Sequence, residues 1–392
     1  MALADDLSSL ANSGSDRRDV APKESWRPQL ELGNDGGFLV SKPREAGALS
    51  DANELLAEFD LDPAEWLVTN VRRSKWQRYD GDWLESFRLS LKPRDQTAPS
   101  DTDVERLVEE IRKFRPPKSS KPASGPLTAI YAMSDTQYGK DAGAGTDGTV
   151  ARVRAALDAS LARQKELKSR GIGQIALPQL GDCIEGVVSQ GGRIVGRLDL
   201  TLTQQVRVGR RILLEWVKAF APLTESLIVP VVPGNHDETH RVVITDPLDS
   251  WQVDVVSQVE DIVRENPEFN HVEFRYPKSD EQTLTVDLSG ELVGFAHGHQ
   301  ARDLVKWWQA QSIGRTPIGS ANVLMTGHYH HYKVSQVGPA LWIQTPAMDG
   351  GSPWFRDRAG LEAPPGIVSL VVGGGYDPRR DLTVLAGGSR EV

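Results

Sequence analysis

Three apolar runs of strand length constrain this chain more than anything else in it: Leu127 to Met133, Gln174 to Leu180 and Leu227 to Val232. Each drives straight into polar residues. Ser134-Asp135-Thr136-Gln137 follows the first, Gly181-Asp182-Cys183-Ile184-Glu185 the second, and Gly234-Asn235-His236-Asp237 the third. Helices are expected after the first two. Val150, Val153, Leu157 and Leu161 recur at helical spacing beyond a glycine-rich loop over 139–148, and Leu202, Val206, Leu213, Val217 and Phe220 mark a longer helix closed by Ala221-Pro222. Strand, polar loop and helix in repetition is the pattern of stacked βα units, whose working loops gather at one edge of the sheet.

Beyond the third run, Thr245-Asp246-Pro247 predicts a helix start with proline at the first helical position, and Trp251, Val255, Val259 and Ile262 mark its inner face. From Val272 the texture changes to strands. Thr283 to Leu288, a Ser289-Gly290 turn and Leu292 to Ala296 lead into His297-Gly298-His299. After a helix around Trp307-Trp308, a short strand from Asn322 to Thr326 ends in Gly327-His328-Tyr329-His330-His331.

Six of the eight histidines, His236, His297, His299, His328, His330 and His331, therefore fall in three glycine-marked loops after apolar strands. Core histidines scatter; these do not. Asp135, Gln137, Asp182 and Asn235 bring carboxylate and amide oxygens to the same edge. That donor mixture suits borderline divalent ions such as manganese, iron or zinc. A Gly-Asn-His-Asp turn alone is equally an ordinary loop with a helix cap, and Asp237 alone is equally a capping carboxylate.

Taken in order, these motifs resemble the calcineurin-like metallophosphoesterase superfamily: Asp135-Thr-Gln137, Gly181-Asp182, Gly234-Asn-His-Asp237, His297 and Gly327-His-Tyr-His330. The match covers roughly residues 126 to 350. It implies an αββα fold, a two-layered β-sandwich flanked by helices, with a dinuclear metal site at the strand ends. Asp135, Gln137, Asp182 and His330 would hold one ion, and Asp182, Asn235, His297 and His328 the other, with Asp182 bridging. Two divalent ions are implied, Mn2+ first, with Fe2+, Zn2+ and Mg2+ as alternatives. Gln137 departs from the family, which has histidine there, so that site is expected to be weaker or to favour harder ions. His297 is taken as the ligand and His299 as a substrate neighbour, although either imidazole suits. His236 would face the phosphate, with Asp237 fixing its tautomer, and Glu185 would stand behind the ligands. Cys183 is expected to be buried packing and His331 to lie outside the ligand set.

The remaining segments bear on substrate. Residues 1–50, rich in Ala, Ser, Asp and Gly, are expected to be a flexible tail. Residues 51–95 read as a small α+β module. Asp51-Ala-Asn-Glu54 caps a helix with Leu55, Leu56 and Phe59 inside, and strands Trp66 to Trp76 and Trp83 to Leu91 flank Asp80-Gly81. Its Arg72, Arg73, Lys75, Arg78, Arg88, Lys92 and Arg94 alternate with Trp76, Tyr79 and Trp83, as a single-strand nucleic-acid surface requires; a solvated strand face over core tryptophans is the alternative. Residues 96–125 read as a basic, proline-rich linker, and 126–392 as the catalytic domain.

Arg193, Arg197, Arg207, Arg210 and Arg211, then Arg241 and Trp354, are candidate substrate contacts. The leading expectation is a nuclease or phosphodiesterase similar to the SbcD-type DNA repair exonucleases. A phosphatase or phosphodiesterase for small molecules or phosphoproteins, and a non-catalytic scaffold, are the alternatives. A net charge of −9 supplies no general attraction to polyanions, so nucleic acid would need a local basic patch. The single cysteine excludes an intrachain disulfide, and the absence of an apolar leader or span gives a cytoplasmic expectation, with no membrane partner and a possible homodimer.

Overall fold

The computed structural model describes residues 28–33, 36–45, 52–63, 65–77, 81–93, 102–117, 122–241, 243, 245–351 and 363–386. The chain divides into two units, 1–96 and 97–392. In the first, strands β1 (Gln29–Gly33), β2 (Gly36–Val40) and β3 (Arg44–Glu45) precede helix α1 (Ala52–Ala57) and the long pair β4 (Trp66–Gln77) and β5 (Trp83–Pro93). β5 lies between β4 on one side and β2 and β3 on the other. The expectation of a tail up to residue 50 is corrected over 29–33 and 36–45. Gln29-Leu-Glu-Leu alternates for only one short strand, and its order comes from the pairing of β2 with β5, a long-range contact that local periodicity does not reveal. Residues 1–27 and 46–51, with Arg78, Tyr79, Asp80 and Arg94, lie outside the described residues.

Leu55 and Leu56 of α1 pack on Leu39, Phe87, Leu89 and Leu91, which cover one face of this sheet. Cross-strand partners share a face, so Arg72 opposite Arg88, Trp76 opposite Leu84, and Phe38 opposite Ser90 lie on the other. The basic set expected here is therefore split. Arg73 and Lys75 fall on the α1 side, where Arg73 pairs with the buried Glu85 and Lys75 lies 5.0 Å from the Trp83 ring centroid. Trp76 and Trp83 are 37% and 49% exposed, so neither is a core tryptophan.

In the second unit the expected linker contains helix α2 (Thr102–Lys113). Leu107 and Ile111 are buried, and Asn266 Nδ2 donates to the carbonyls of Ile111 at 2.7 Å and Phe114 at 3.1 Å. A flanking proline-rich, lysine-rich composition masked a helix held by tertiary contacts. Residues 96–101 and 118–121 are outside the described residues.

The rest alternates as the apolar runs predict: β6 (Leu127–Ala132), α3 (Gly145–Leu167), β7 (Ile172–Ala176), α4 (Leu202–Phe220), β8 (Ser226–Pro230), α5 (Trp251–Arg264) and β9 (Val272–Arg275). Then come β10 (Thr283–Leu288), β11 (Glu291–Ala296), α6 (Leu304–Ile313), β12 (Val323–Thr326), β13 (Lys333–Val337), β14 (Ala340–Gln344), β15 (Gly366–Val372) and β16 (Thr383–Ala386). Two sheets result, ordered β16-β15-β6-β7-β8-β9 and β10-β11-β12-β14-β13, with β6 to β9 parallel.

Their inner faces make one core, in which Ile130, Ile228 and Leu370 of the first sheet join Val293, Phe295, Met325 and Ile343 of the second. Helices α3, α4 and α5 cover the outer face of the first sheet, and α6, through Leu304 and Trp308, covers that of the second. This is an αββα sandwich. Each fully buried aliphatic or aromatic side chain between the layers contributes about 1.5–3 kcal/mol. The sandwich thereby carries the strained loops at its edge.

One boundary moves. Helix α5 begins after Ser250, not at Asp246-Pro247, because the Asp246 carboxylate is engaged in a turn. It accepts from the Leu248 amide at 2.9 Å and the Ser279 hydroxyl at 2.6 Å. Among the described residues no helix is long and apolar enough to cross a membrane.

Candidate metal centre

The loops after β6, β7 and β8 do not fray where the regular strands stop. The Met133 amide donates to the Pro178 carbonyl, Asp135 to Gly181, Gln137 to Asp182, and Val232 to Gln179, all at 3.0–3.1 Å. The polar residues are thus stitched side by side beyond the sheet edge. Of ten non-glycine residues with positive φ among the described residues, five are expected ligands: Asp135, Gln137, Asp182, His328 and His330, at +42° to +71°. Non-glycine residues in this region cost of order 1–3 kcal/mol each and concentrate where side chains must be aimed at a ligand.

The glycines serve close approach. Gly234 is not a left-handed turn residue; a Cβ there would lie 2.1 Å from Asp182 Oδ1, so only glycine lets the third loop touch the second. Gly327 does the same for the last loop, where a Cβ would meet Ser134 Oγ at 2.0 Å.

Asp182, Asn235, His297 and His328 come together. His297 Nε2 lies 3.0 Å from Asp182 Oδ2 and 3.1 Å from Asn235 Oδ1, while its Nδ1 meets the Leu180 carbonyl at 2.7 Å. His328 joins Asp182 and His297 within 4.8 Å, ligand atom to ligand atom. Asp182 Oδ2 is buried, with His297 Nε2 3.0 Å away. An anionic oxygen in that state is costly unless a cation meets it. Burial works against charge on His297, but Asp182 outweighs it and holds the ring near pKa 9; burial and His297 together depress His328 to about 4. A divalent ion binding here would displace the His297 proton and meet a neutral His328. This donor set fits a metal ion.

The second expected set differs. His330 Nε2 lies 3.2 Å from Asp135 Oδ1, and its Nδ1 lies 3.4 Å from Asp349 Oδ1. The oxygen of Gln137 that would bind an ion accepts instead from Lys140 Nζ at 2.8 Å, and the same ammonium is paired with Asp349. Sequence reading missed both Lys140 and Asp349. The only signal was Asp349 at the end of another strand-to-glycine transition, Ala347-Met-Asp-Gly350, 209 residues from its lysine partner.

His236 is set by groups other than those expected. Its backbone amide donates to Asp182 Oδ1 at 2.7 Å, and its Nδ1 lies 3.2 Å from both Ser189 Oγ and the Glu185 carbonyl, with Glu185 Oε2 at 3.4 Å. Asp237 is buried, and its oxygens accept from the amides of Asp182 at 2.5 Å, Gly234 at 3.2 Å and Ile184 at 3.3 Å. The expected role of Asp237 as orienter of His236 is corrected. Its carboxylate is drawn into three backbone N–H groups that have no other acceptor in the turn, so it fastens two loops while Glu185 and Ser189 position the ring.

A cavity of about 480 Å³ opens beside His328, lined among others by Asn235, Arg241, His299 and Gln282. His299 thus borders the cavity while His297 faces Asp182. Burial, then His297, lowers the His299 pKa to about 3, so it meets a ligand as a neutral ring. Arg241 is held by Glu238 at 2.8 Å and by the Asn235 carbonyl at 2.6 Å. Arg210 is buried on Gln258 between helices α4 and α5, which removes it from any substrate groove. Cys183 is buried, and His331 turns its Nδ1 to the Tyr329 carbonyl at 2.7 Å. Trp354 and the side chain of Arg193 lie outside the described residues.

No protein-family model and no curated protein matches the chain. Solved structures similar to it include an archaeal phosphodiesterase, 16% identical, covering 66% of this chain and 99% of that one at a TM-score of 0.31. A conserved Streptococcus pneumoniae protein described as a predicted phosphoesterase is 12% identical over 66% of this chain and 87% of its own, at 0.29. Zinc-bound Vps29 of Entamoeba histolytica is 14% identical over 62% and 84%, at 0.29. At these scores the chemistry of the site has to be read from its own residues.

Proposed function

We propose that the chain is a divalent-metal-dependent phosphoesterase that hydrolyses phosphodiesters, with nucleic acid as its polymeric substrate and Mn2+ as the first metal to test. The observation that carries the reading is the convergence of Asp182 Oδ2, Asn235 Oδ1, His297 Nε2 and His328 on one point with His236 alongside. Asp182, Asn235, His297 and His328 would hold the ion. A divalent ion there supplies Lewis acidity toward a phosphoryl oxygen and toward water.

Water adds to phosphorus, the bond to the leaving oxygen breaks, and that oxygen takes up a proton. His236 is the donor at hand: with Nδ1 committed to Glu185 and Ser189, Nε2 is the nitrogen available to the phosphoryl or leaving oxygen. Arg241, at the mouth of the cavity, adds positive charge for the diester. His236→Ala should lower kcat for bis-(p-nitrophenyl) phosphate by about 10²–10⁴-fold while bound metal is unchanged. Unchanged kcat would sink the role. A wild type inert with Mn2+, Fe2+, Zn2+ and Mg2+ would leave the scaffold reading.

The nucleic-acid reading, and with it the SbcD-type branch, is supported by the face of the first unit's sheet opposite α1. Arg72, Arg88 and Lys92 share that face with Phe38 and the exposed Trp76, and the Arg88 guanidinium lies 4.1 Å from the Phe38 ring centroid. A strand of bases needs such cations and flat rings together. Trp76→Ala with Arg72→Ala should weaken binding of single-stranded DNA by about 5-fold or more, and lower the salt slope by roughly 0.7. Full affinity in the double variant would favour a small-molecule phosphodiesterase. The net charge of −9 and a cavity of nucleotide dimensions favour that second reading.

A further inference from the structure

The geometry points to a built-in cation: the ammonium of Lys140 takes the place of the first metal ion, and the centre works with a single divalent ion, held by Asp182, Asn235, His297 and His328. The inference rests on the metal-dependent phosphoesterase reading and concerns how many ions that site takes.

Gln137 is the only side chain in the first set that differs from the resembled pattern, and the difference is not isolated. Its oxygen accepts from Lys140 Nζ at 2.8 Å. The lysine side chain is 17% exposed and is paired on its other side with Asp349, which is 3% exposed. Asp349 in turn lies 3.4 Å from His330 Nδ1, and His330 Nε2 lies 3.2 Å from Asp135. A chain of polar contacts therefore runs Gln137, Lys140, Asp349, His330, Asp135.

An imidazole nitrogen at 137 has a single lone pair, which takes either a divalent ion or an ammonium proton but not both. An amide oxygen accepts the ammonium, and an ion bound to that oxygen would then sit within a few ångströms of a fixed positive charge in a buried setting, where repulsion is strong. The lysine is locked in place from its backbone outward. Asp349 donates its amide to the Asp135 carbonyl at 3.0 Å, Asp141 donates to the Arg197 carbonyl at 3.2 Å, and Gly143 packs against Gly350 so closely that a Cβ on either would overlap the other's backbone. Lys140 thus presents at the first position the positive charge that a second ion would bring to a phosphate, without a metal's exchange or dissociation.

The test is ion count on the full chain, stripped with chelator and reloaded with Mn2+ alone. Titration calorimetry and elemental mass spectrometry should give one equivalent, and the electron paramagnetic resonance spectrum should be that of isolated Mn2+. Two equivalents with an exchange-coupled spectrum would overturn the inference. No uptake would instead remove the metal-dependent reading beneath it. Gln137→His combined with Lys140→Met should take up a second equivalent and become exchange-coupled, whereas Lys140→Arg should remain at one. A double variant that keeps its cooperative melt yet still binds one ion would show that the ammonium does not exclude the second, and would also overturn the inference.

Discussion

Asp182→Ala should lower phosphodiester hydrolysis by about a thousandfold or more and strip the chain of its bound divalent ion. Two losses coincide in this residue. Oδ2 is the one carboxylate oxygen in the group it forms with His297 and His328, and Oδ1 accepts the His236 amide at 2.7 Å. Removing the side chain takes away the negative charge that draws in a cation and frees the backbone of the residue that meets the phosphate. Asp182→Asn separates the two effects. It keeps an acceptor for the His236 amide and loses the charge, so metal and turnover should still fall while the melting temperature stays near that of the wild type. Elemental analysis beside kcat/KM and a thermal melt reads all three; a metal-loaded, active Asp182→Ala would dismantle the proposed centre.

Asp237→Ala is expected to act on stability first. The carboxylate satisfies the amides of Asp182, Gly234 and Ile184 inside the protein, and deleting it strands three buried donors. Each orphaned group costs about 1–3 kcal/mol, partly offset by relief from the nearby Asp182 charge, for a loss of about 3–5 kcal/mol. A domain larger than 250 residues loses roughly 2 °C per kcal/mol, so the melting temperature should drop by about 6–10 °C. Turnover per folded, metal-loaded molecule should fall far less than in the His236 variant. A variant with the wild-type melt and no activity would return Asp237 to a direct part in the chemistry.

How far the sequence carried this reading depended on the range of the interactions. The parallel strands were visible because strands buried on both faces leave continuous apolar runs, and Asp182, Asn235, His297 and His328 were visible because each follows such a run. Asp237 was assigned by adjacency to His236. The turn sends the two side chains apart, and the partners of His236 are Glu185 and Ser189, some fifty residues away. Lys140 and Asp349 are common residue types whose meaning comes only from their pairing. Helix α2 did carry a signal: Val104, Leu107, Val108 and Ile111 have helical spacing, outweighed in reading by the prolines and lysines after it. Strands β1 to β3 carried almost none, since their order is borrowed from β5.

The amide ladder that runs past the ends of β6, β7 and β8 has a consequence for time scale. Active-site loops are commonly the first parts of a protein to open, on their own and cheaply. Here the Asp135 and Gln137 amides donate to the carbonyls of Gly181 and Asp182 by the same kind of bond that joins the strands, so exposing these two amides requires unzipping the sheet itself. Solvent exchange at these amides is then governed by unfolding of the whole sandwich.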